Sequence, residues 1–424
     1  MTDGGRDHEF PTRSLHAGQA PDPATGARAP PIYQTTSYAF PDAEEAAARF
    51  ALDAEGPIYS RFFNPTVRTL ERRLASLEGG VDAVCTASGL AALDAATSIL
   101  ASAGDNVVAS DDMYGGTATY LSKMASRRGV EARTVDTLDY DAYAEAVDDD
   151  TAYVHVETIA NPSLVTPDFE RVAAIAHEHG APLFVDNTFA TPHLCRPVEH
   201  GADLVWESTT KWIHGSGTTL GGVLVDGGTF PWDAADYPEM AGENPAYGVD
   251  FSERFGERAF AAAARYRSLR SLGSAQSPFD AWLTLQGVET LPLRMERHCE
   301  NARFVAEYLR DHPAVEWVTY PGFADHPTHD NAAEYLDGGY GGMVAFGLAD
   351  GYEAAERLCE SVELASFLAN IGDAKTLVIH PASTTHSQLS EAEQRAAGVS
   401  PEMVRLSVGL EAPEDVVADL EVGL

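Results

Sequence analysis

The chain contains few cysteines and no long apolar run, and each scarcity excludes a class of protein. Its four cysteines are scattered and form no CxxC pair, so the sequence predicts neither a disulfide framework nor a metal site. No stretch approaches the roughly 18 consecutive apolar residues of a membrane-spanning helix. The first residues, MTDGGRDHEF, lack the basic start and apolar run of a secretory signal. We therefore expect a cytoplasmic protein.

Positive charge is also scarce. The 424 residues include 65 acidic and 28 basic ones, a formal net charge of −37. Such a surface repels nucleic acid and anionic membranes, so we expect neither as a partner. The acidic residues are spread along the chain instead of forming a tail. Because salt screens repulsion between surface charges, this composition is typical of a halophilic protein from a salty cytoplasm.

Lysine is the rarest charged residue, with only Lys123, Lys211 and Lys375 in the whole chain. Lys123 lies in the polar helical segment LSKMASRRG and Lys375 follows a turn, so both are expected to be exposed. Lys211 instead follows an apolar run and three hydroxyl residues, Ser208-Thr209-Thr210. Arginine stays protonated and cannot serve as a neutral amine. Lys211 is therefore the candidate for lysine chemistry.

The residues around Lys211 combine the elements of a cofactor site. Two apolar runs, Pro182–Val185 and Ala202–Trp206, predict buried parallel strands that lead into Asp186 and into the Lys211 segment. Ligands of open α/β sheets bind beyond the carboxyl ends of strands. Pyridoxal phosphate (PLP) requires a lysine amine, a carboxylate at its pyridinium nitrogen and donors for its phosphate. From this stretch alone, two strand ends with solvated polar caps are an equal alternative.

The N-terminal 64 residues predict an arm. They show little periodicity apart from one predicted helix, Ala43–Leu52. A long arm without a core of its own packs on something else, often a neighbouring subunit. Near its end, Tyr59 and Arg61 would point the same way in an extended chain and suit an anionic group. A surface loop with a structural arginine is the alternative.

Alternating strands and helices after the arm, including a predicted strand at Ala152–Val156, predict a doubly wound sheet. The strand Ala83–Thr86 leads into Ser88-Gly89-Leu90 at a predicted helix start, where free N–H groups can hold a phosphate. The strand Val107–Ala109 leads to Tyr114, which is either a residue that stacks on a flat ring or an ordinary half-buried tyrosine. The Gly- and Pro-rich residues 227–258 predict a loop.

The last part of the chain predicts a smaller α+β domain. Arg405 lies within the apolar strand Met403–Val408. A lone charge among apolar neighbours requires an anionic partner. A substrate carboxylate and a buried structural acid both satisfy that requirement.

Taken together, these residues resemble the PLP-dependent enzymes of cysteine and methionine metabolism, the cystathionine γ-synthase-like family. The resemblance covers nearly the whole chain. The matching segments are LHAGQAPDPATGARAPPIYQTTSY, YSRFFNPT, DNTFATPHLCRPVEHGADLV, STTKW with GTTLGG, SPFDAWLTLQGVETLPLRMERHCENA, IGDAKTLVIHPASTTHSQLS and VRLSVGLE. It implies the α/β fold type I of PLP-dependent transferases, with an arm at 1–64, a PLP-binding domain at 65–290 and a C-terminal α+β domain at 291–424.

The resemblance also implies roles for matched residues, with Lys211 as the Schiff-base lysine and Asp186 at the pyridinium nitrogen. Lys211, Tyr114 and Tyr59 would be catalytic. The implied phosphate contacts are Ser88, Gly89, Leu90, Ser208 and Thr210, together with Tyr59 and Arg61 of a neighbouring subunit. Tyr114 would stack on the ring, Asn161 would lie near its phenolic oxygen, and Arg405 with Asn370 would bind the substrate carboxylate. Trp206-Glu207 and Ile213–Ser216 depart from the family pattern.

The implied reaction is γ-replacement on O-acetyl-L-homoserine with sulfide or a thiol, giving homocysteine or methionine and acetate. The subgroup implied is that of the O-acetylhomoserine sulfhydrylases, within methionine biosynthesis, and a homotetramer of dimers with shared sites is expected. A cystathionine γ-synthase and a methionine or cystathionine γ-lyase would use the same site. A non-catalytic binding protein would predict a damaged lysine or aspartate, and both are intact.

Overall fold

The computed structural model describes residues 8–233, 236–242, 248–388, 390–396 and 398–424. Within them, a seven-stranded sheet forms the larger unit. Its strands are β1 (Asp82–Thr86), β2 (Asn106–Ser110), β3 (Glu131–Val135), β4 (Thr151–Glu157), β5 (Leu183–Asp186), β6 (Leu204–Glu207) and β7 (Gly222–Asp226). They are arranged in the order β1-β7-β6-β5-β4-β2-β3. Only β7 pairs antiparallel with its neighbours, which confirms the mostly parallel sheet.

The central strands are apolar on both faces because helices cover both sides of the sheet. Alternate residues along a strand point to opposite faces. Val154 and Val185 enter one hydrophobic core, whereas Tyr153 and Phe184 enter the other. Such continuous apolar runs are typical of buried parallel strands. The predicted bounds of β4, β5 and β6 are correct to within two residues.

Helices connect the strands of the large sheet and continue into the second unit. The first thirteen are α1 (Phe10–His16), α2 (Ala43–Phe50), α3 (Pro65–Glu78), α4 (Gly89–Leu100), α5 (Gly115–Thr119), α6 (Tyr140–Ala146), α7 (Phe169–Glu178), α8 (Thr191–Leu194), α9 (Phe251–Phe255), α10 (Ala259–Ala263), α11 (Arg270–Leu272), α12 (Pro278–Glu289) and α13 (Leu291–Asp311). Asn64 caps α3 by accepting the N–H of Thr66 at 3.0 Å, and Gly79 ends it with a φ of 81°. The side chain of Asn64 therefore satisfies free donors at the helix start.

The second unit is a smaller α+β layer, as expected. Its strands are β8 (Val315–Thr319), β9 (Met343–Leu348), β10 (Ser366–Phe367), β11 (Leu377–Ile379) and β12 (Met403–Ser407), in the order β10-β11-β12-β9-β8. Its helices are α14 (His329–Tyr335), α15 (Tyr352–Ser361), α16 (Glu391–Ala396) and α17 (Pro413–Leu420). The strands β9 and β12 pair antiparallel, with Phe346 and Leu406 in a core of their own.

The arm differs from its prediction at its beginning. The helix α1 was not predicted, and it packs on the chain's own α3: Arg73 donates from Nε to the carbonyl of Ala17 at 3.0 Å. The predicted helix at Ala43–Leu52 is confirmed as α2, and no residue of Ala43–Phe50 is buried. Residues 31–61 of the arm therefore contribute no buried side chain.

The predicted loop at 227–258 is wrong in part. Residues 234–235 and 243–247 of it lie outside the described residues. In the described part, Phe251–Phe255 is helical and Phe251 is fully buried, because this aromatic side chain anchors the segment in the core. Across the described ranges, no helix is both long and apolar enough to cross a membrane.

Candidate active site

The carboxyl ends of β4, β5 and β6 bring three side chains into one row. Glu157 pairs with Asp186 across β4 and β5, and Asp186 pairs with Trp206 across β5 and β6. Paired residues on neighbouring parallel strands share a face of the sheet. Lys211 lies in the turn that follows β6, where its carbonyl accepts the N–H of Gly215 at 2.7 Å. Asp186 and the turn that carries Lys211 thus lie at the same edge of the sheet, after neighbouring strands.

The Lys211 amine lies in a surrounding that favours its neutral form. Its Nζ donates a hydrogen bond to Oδ1 of Asn370. Burial, and then the positive charge of Arg405, lower the pKa of Lys211 to about 8. Both causes disfavour the ammonium form. A neutral amine is the form that attacks a carbonyl or accepts a proton, so this lysine is chemically prepared for either task.

Asp186 is a buried carboxyl whose environment favours a cation nearby. It is only 6% exposed, and its Oδ1 accepts the N–H of Thr188 at 2.9 Å. Burial raises the pKa of Asp186, and the hydrogen bonds from Thr188 oppose the rise. No basic side chain among the described residues forms an ion pair with it. A cationic ring nitrogen at this position would stabilise the ionised carboxylate.

Arg405 approaches Asn161 from the smaller sheet. Its Nη1 donates to Oδ1 of Asn161 at 2.8 Å. Burial lowers the pKa of Arg405 to about 10. Within the described ranges, no carboxylate forms an ion pair with Arg405. The alternative of a buried structural acid is therefore not supported, and the guanidinium is available for an external anion.

The N-terminus of α4 meets the segment before Lys211. Ser88 caps α4 by accepting the N–H of Ala91 at 3.2 Å. A Cβ added at Gly89 would lie 2.8 Å from the Cβ of Ser208, so only glycine allows this close approach. Leu90 is 37% exposed. Free N–H groups and hydroxyls are thereby gathered where an anion can bind.

Two hydroxyl residues hold the turn before Lys211. The hydroxyl of Thr210 accepts the N–H of Gly221 at 3.1 Å, so this predicted phosphate ligand is engaged within the chain. The hydroxyl of Thr188 accepts the N–H of Ser208 at 2.9 Å. Thr188 thus contacts both Asp186 and Ser208, a role that the sequence analysis missed although the residue directly follows the strand end.

Tyr114, Tyr59 and Arg61 lie on the outside of this chain. Tyr114 is 47% exposed at the start of α5, and its N–H donates to Oε1 of Glu157 at 2.5 Å. Tyr59 is exposed as well, and the guanidinium of Arg61 lies over its ring, 5.0 Å from the centroid. The two side chains are therefore in contact, although residues 60–62 form a turn and not the extended chain that the prediction assumed.

The acidic residues that end β4 and β6 were not predicted to have a role. Glu157 and Glu207 are both buried, and burial is the largest cause that raises the pKa of each carboxyl. Glu207 faces the other side of the sheet from Asp186, beside Glu78. An acidic residue directly after a buried apolar strand is the only sequence signal that marks either of them.

Comparison with known proteins shows the family to which this chain is similar. The family model described as "Cys/Met metabolism PLP-dependent enzyme" matches residues 11–424. A homocysteine synthase of Schizosaccharomyces pombe is 48% identical over 419 residues, 98% of this chain and 98% of that protein. An O-acetyl-L-homoserine sulfhydrylase of Thermus thermophilus is 50% identical over 418 residues, 98% of this chain and 99% of that protein.

A solved structure from Campylobacter jejuni gives the same result in three dimensions. That protein, assigned as an O-acetylhomoserine (thiol)-lyase, superposes with a TM-score of 0.95 at 39% identity. The match covers 98% of this chain and 99% of that one. It contains N'-pyridoxyl-lysine-5'-monophosphate. The likeness therefore extends over both sheets and over the arm.

Proposed function

The chain belongs to the PLP-dependent enzymes of cysteine and methionine metabolism, and from this premise we propose that it is an O-acetylhomoserine sulfhydrylase. The reaction breaks the bond between Cγ and the acetyl ester oxygen, releases acetate and forms a bond between Cγ and sulfur. Sulfide then gives L-homocysteine, and methanethiol would give methionine. The observation that carries the proposal is 48–50% identity over almost the full length to a homocysteine synthase and an O-acetylhomoserine sulfhydrylase.

The described residues fit PLP. Asp186 is a buried carboxyl without a cationic partner among them, Lys211 has a lowered pKa, and the start of α4 lies against Ser208. PLP would supply the electron sink that the reaction needs. Lys211 would bind it covalently and Asp186 would hold its ring nitrogen. Ser88, Gly89, Leu90, Ser208 and Thr210 would surround its phosphate.

The same residues would handle the substrate. Arg405 would bind the α-carboxylate, since it is a cation without an acidic partner among the described residues. Asn370 accepts from Lys211 through its amide oxygen, which leaves its amide nitrogen as a donor to the same carboxylate. Lys211 would move protons at Cα and Cβ of the substrate. Asn161 would lie near the phenolic oxygen of the cofactor.

The outward position of the arm supports an active site shared between subunits. Tyr59 and Arg61 are exposed on the isolated chain, and α2 buries none of its residues. In a dimer, these two side chains would reach the phosphate of the neighbouring cofactor, and Tyr114 would stack on the ring. Two such dimers would form the homotetramer.

The net charge of the chain supports a cytoplasm with a high salt concentration as the environment of the enzyme. A net charge of −37 causes self-repulsion that is weak only where salt screens it. We infer that the enzyme is halophilic and functions in the cytoplasm. Salt dependence of its assembly is therefore part of the proposal.

The decisive experiment offers O-acetyl-, O-succinyl- and O-phosphohomoserine, each with sulfide, methanethiol or cysteine, and identifies products by mass. We expect homocysteine from O-acetylhomoserine and sulfide to form fastest. Predominant 2-oxobutanoate would indicate a γ-lyase, and faster formation of cystathionine would indicate a cystathionine γ-synthase. Either result would overturn the proposed reaction.

A further inference from the structure

Glu157 connects two segments that border the candidate active site. Its Oε1 accepts the N–H of Tyr114 at 2.5 Å, and its Oε2 accepts the N–H of Asn161 at 3.2 Å. Tyr114 directly precedes α5, and Asn161 lies in the loop after β4. Each carboxylate oxygen thus holds the backbone of a different segment. Glu157 itself is 4% exposed at the end of β4, so its position is determined by the sheet.

The connection continues from Asn161 into the smaller sheet. The side chain of Asn161 accepts from Nη1 of Arg405 at 2.8 Å. Fixing the backbone of Asn161 therefore also fixes the acceptor that orients the guanidinium. The chain of contacts runs from Tyr114 through Glu157 and Asn161 to Arg405. It joins the residue proposed to stack on PLP to the residue proposed to bind the substrate carboxylate.

This arrangement is costly for the fold, which argues that it serves the site. Glu157 lies beside Asp186 on the next strand, and two buried carboxyls side by side disfavour ionisation of both. Burial, and then Asp186, raise the pKa of Glu157, and the hydrogen bonds from the N–H groups of Tyr114 and Asn161 oppose the rise. A neutral amide side chain would avoid this repulsion, but it has only one acceptor oxygen and could not receive both N–H groups.

We propose that Glu157 is a positioning residue that sets the backbones of Tyr114 and Asn161 relative to Asp186 and so aligns the cofactor ring with Arg405. The inference rests on the proposed placement of PLP between Tyr114 and Asp186. It assigns no proton transfer to Glu157. Its effect passes through the two residues whose N–H groups it accepts.

The variant Glu157→Gln tests this role because it keeps the shape and removes one of the two acceptors. One of the two backbone hydrogen bonds is lost, so the Kd for PLP, titrated into the cofactor-free protein, should rise about tenfold. The visible circular dichroism of bound PLP should change, since the ring would tilt. The KM for the amino acid should rise more than kcat falls.

Asp226→Asn is a matched control. Asp226 is also a buried carboxyl at a strand end, and its two oxygens accept the N–H groups of Gly228 and Ala261, each at 3.0 Å. Because β7 runs antiparallel to β6, its carboxyl end lies at the opposite edge of the sheet. The control should lower thermal stability but leave the Kd for PLP and the dichroism unchanged. If Glu157→Gln behaves in the same way, Glu157 is only structural and the proposal is wrong.

A second variant tests whether Glu157 acts on Arg405 through Asn161. In an Asn161→Ala background, Glu157→Gln should raise the KM for the amino acid by a smaller factor than it does in the native chain. Equal factors in both backgrounds would show that Glu157 does not act on Arg405 through Asn161, which would overturn that half of the proposal.

Hydrogen exchange tests the contact even where the variants fail to fold. In the native protein, the N–H groups of Tyr114 and Asn161 should be protected with or without PLP. Rapid exchange at either N–H would refute the contact. The PLP titration and exchange readouts need no turnover. If no homoserine ester reacts while they behave as expected, the proposed reaction fails and the role of Glu157 stands.

Discussion

The lowered pKa of Lys211 can be tested by removing one of its causes. With a pKa of about 8 instead of the ordinary 10.5, about a quarter of the Lys211 amines are neutral at pH ~7.5, against about one in a thousand for an ordinary lysine. Arg405 is the second cause after burial. Arg405→Gln should therefore raise the pKa of Lys211, but not to the ordinary value, because burial remains.

The scarcity of lysine makes this measurement practical. Reductive methylation of the cofactor-free protein with ¹³C-formaldehyde labels only three lysines, Lys123, Lys211 and Lys375, and the N-terminal amine. Lys123→Arg and Lys375→Arg assign the NMR signals without changing the charge. A pH titration then follows Lys211 directly. Attachment of PLP at pH ~7.5 should slow in Arg405→Gln, because a higher pKa leaves less neutral amine.

The experiment has one control variant, and two results would contradict the prediction. Arg133→Gln removes the same charge from the edge strand β3, far along the sheet order from β6, and should leave the titration of Lys211 unchanged. An ordinary pKa for Lys211 in the native chain would refute the effect of burial. An unchanged pKa in Arg405→Gln would refute the proximity of the two cations.

Three further predictions follow from the proposed function. Lys211→Ala should lose the cofactor that borohydride traps, since the other two lysines are exposed; trapping that persists would contradict the assignment. Mixed chains carrying Arg61→Ala and Lys211→Ala should regain activity, because one site of a hybrid dimer has both residues; hybrids that form but stay inactive would argue against shared sites. Melting temperature and assembled mass should rise from dilute buffer to molar salt, because salt screens a net charge of −37; a flat response would reject the halophilic proposal.

Much of the central sheet could be predicted from local patterns. The strands β4, β5 and β6 are apolar on both faces, so a short run of consecutive apolar residues was sufficient to predict each of them. The strand β3 was missed because its sequence, EARTV, is mostly polar, and at the edge of the sheet only Val135 is buried. The helix α1 was missed because its seven residues include only two large apolar side chains. Edge strands and short helices depend on neighbours that the local sequence does not reveal.

The candidate site divides in the same way. The sequence by itself predicted that Asp186 and the Lys211 segment follow two buried strands, whose carboxyl ends lie at one edge of an α/β sheet. Only the tertiary structure decided that Lys211 meets Asn370, that Asn161 meets Arg405 and that Glu157 holds Tyr114. The physical reason is the separation of the interacting residues along the sequence. Strand periodicity is set by adjacent residues. A hydrogen bond between residues 161 and 405 depends on how the two sheets pack, and neither segment encodes that packing alone.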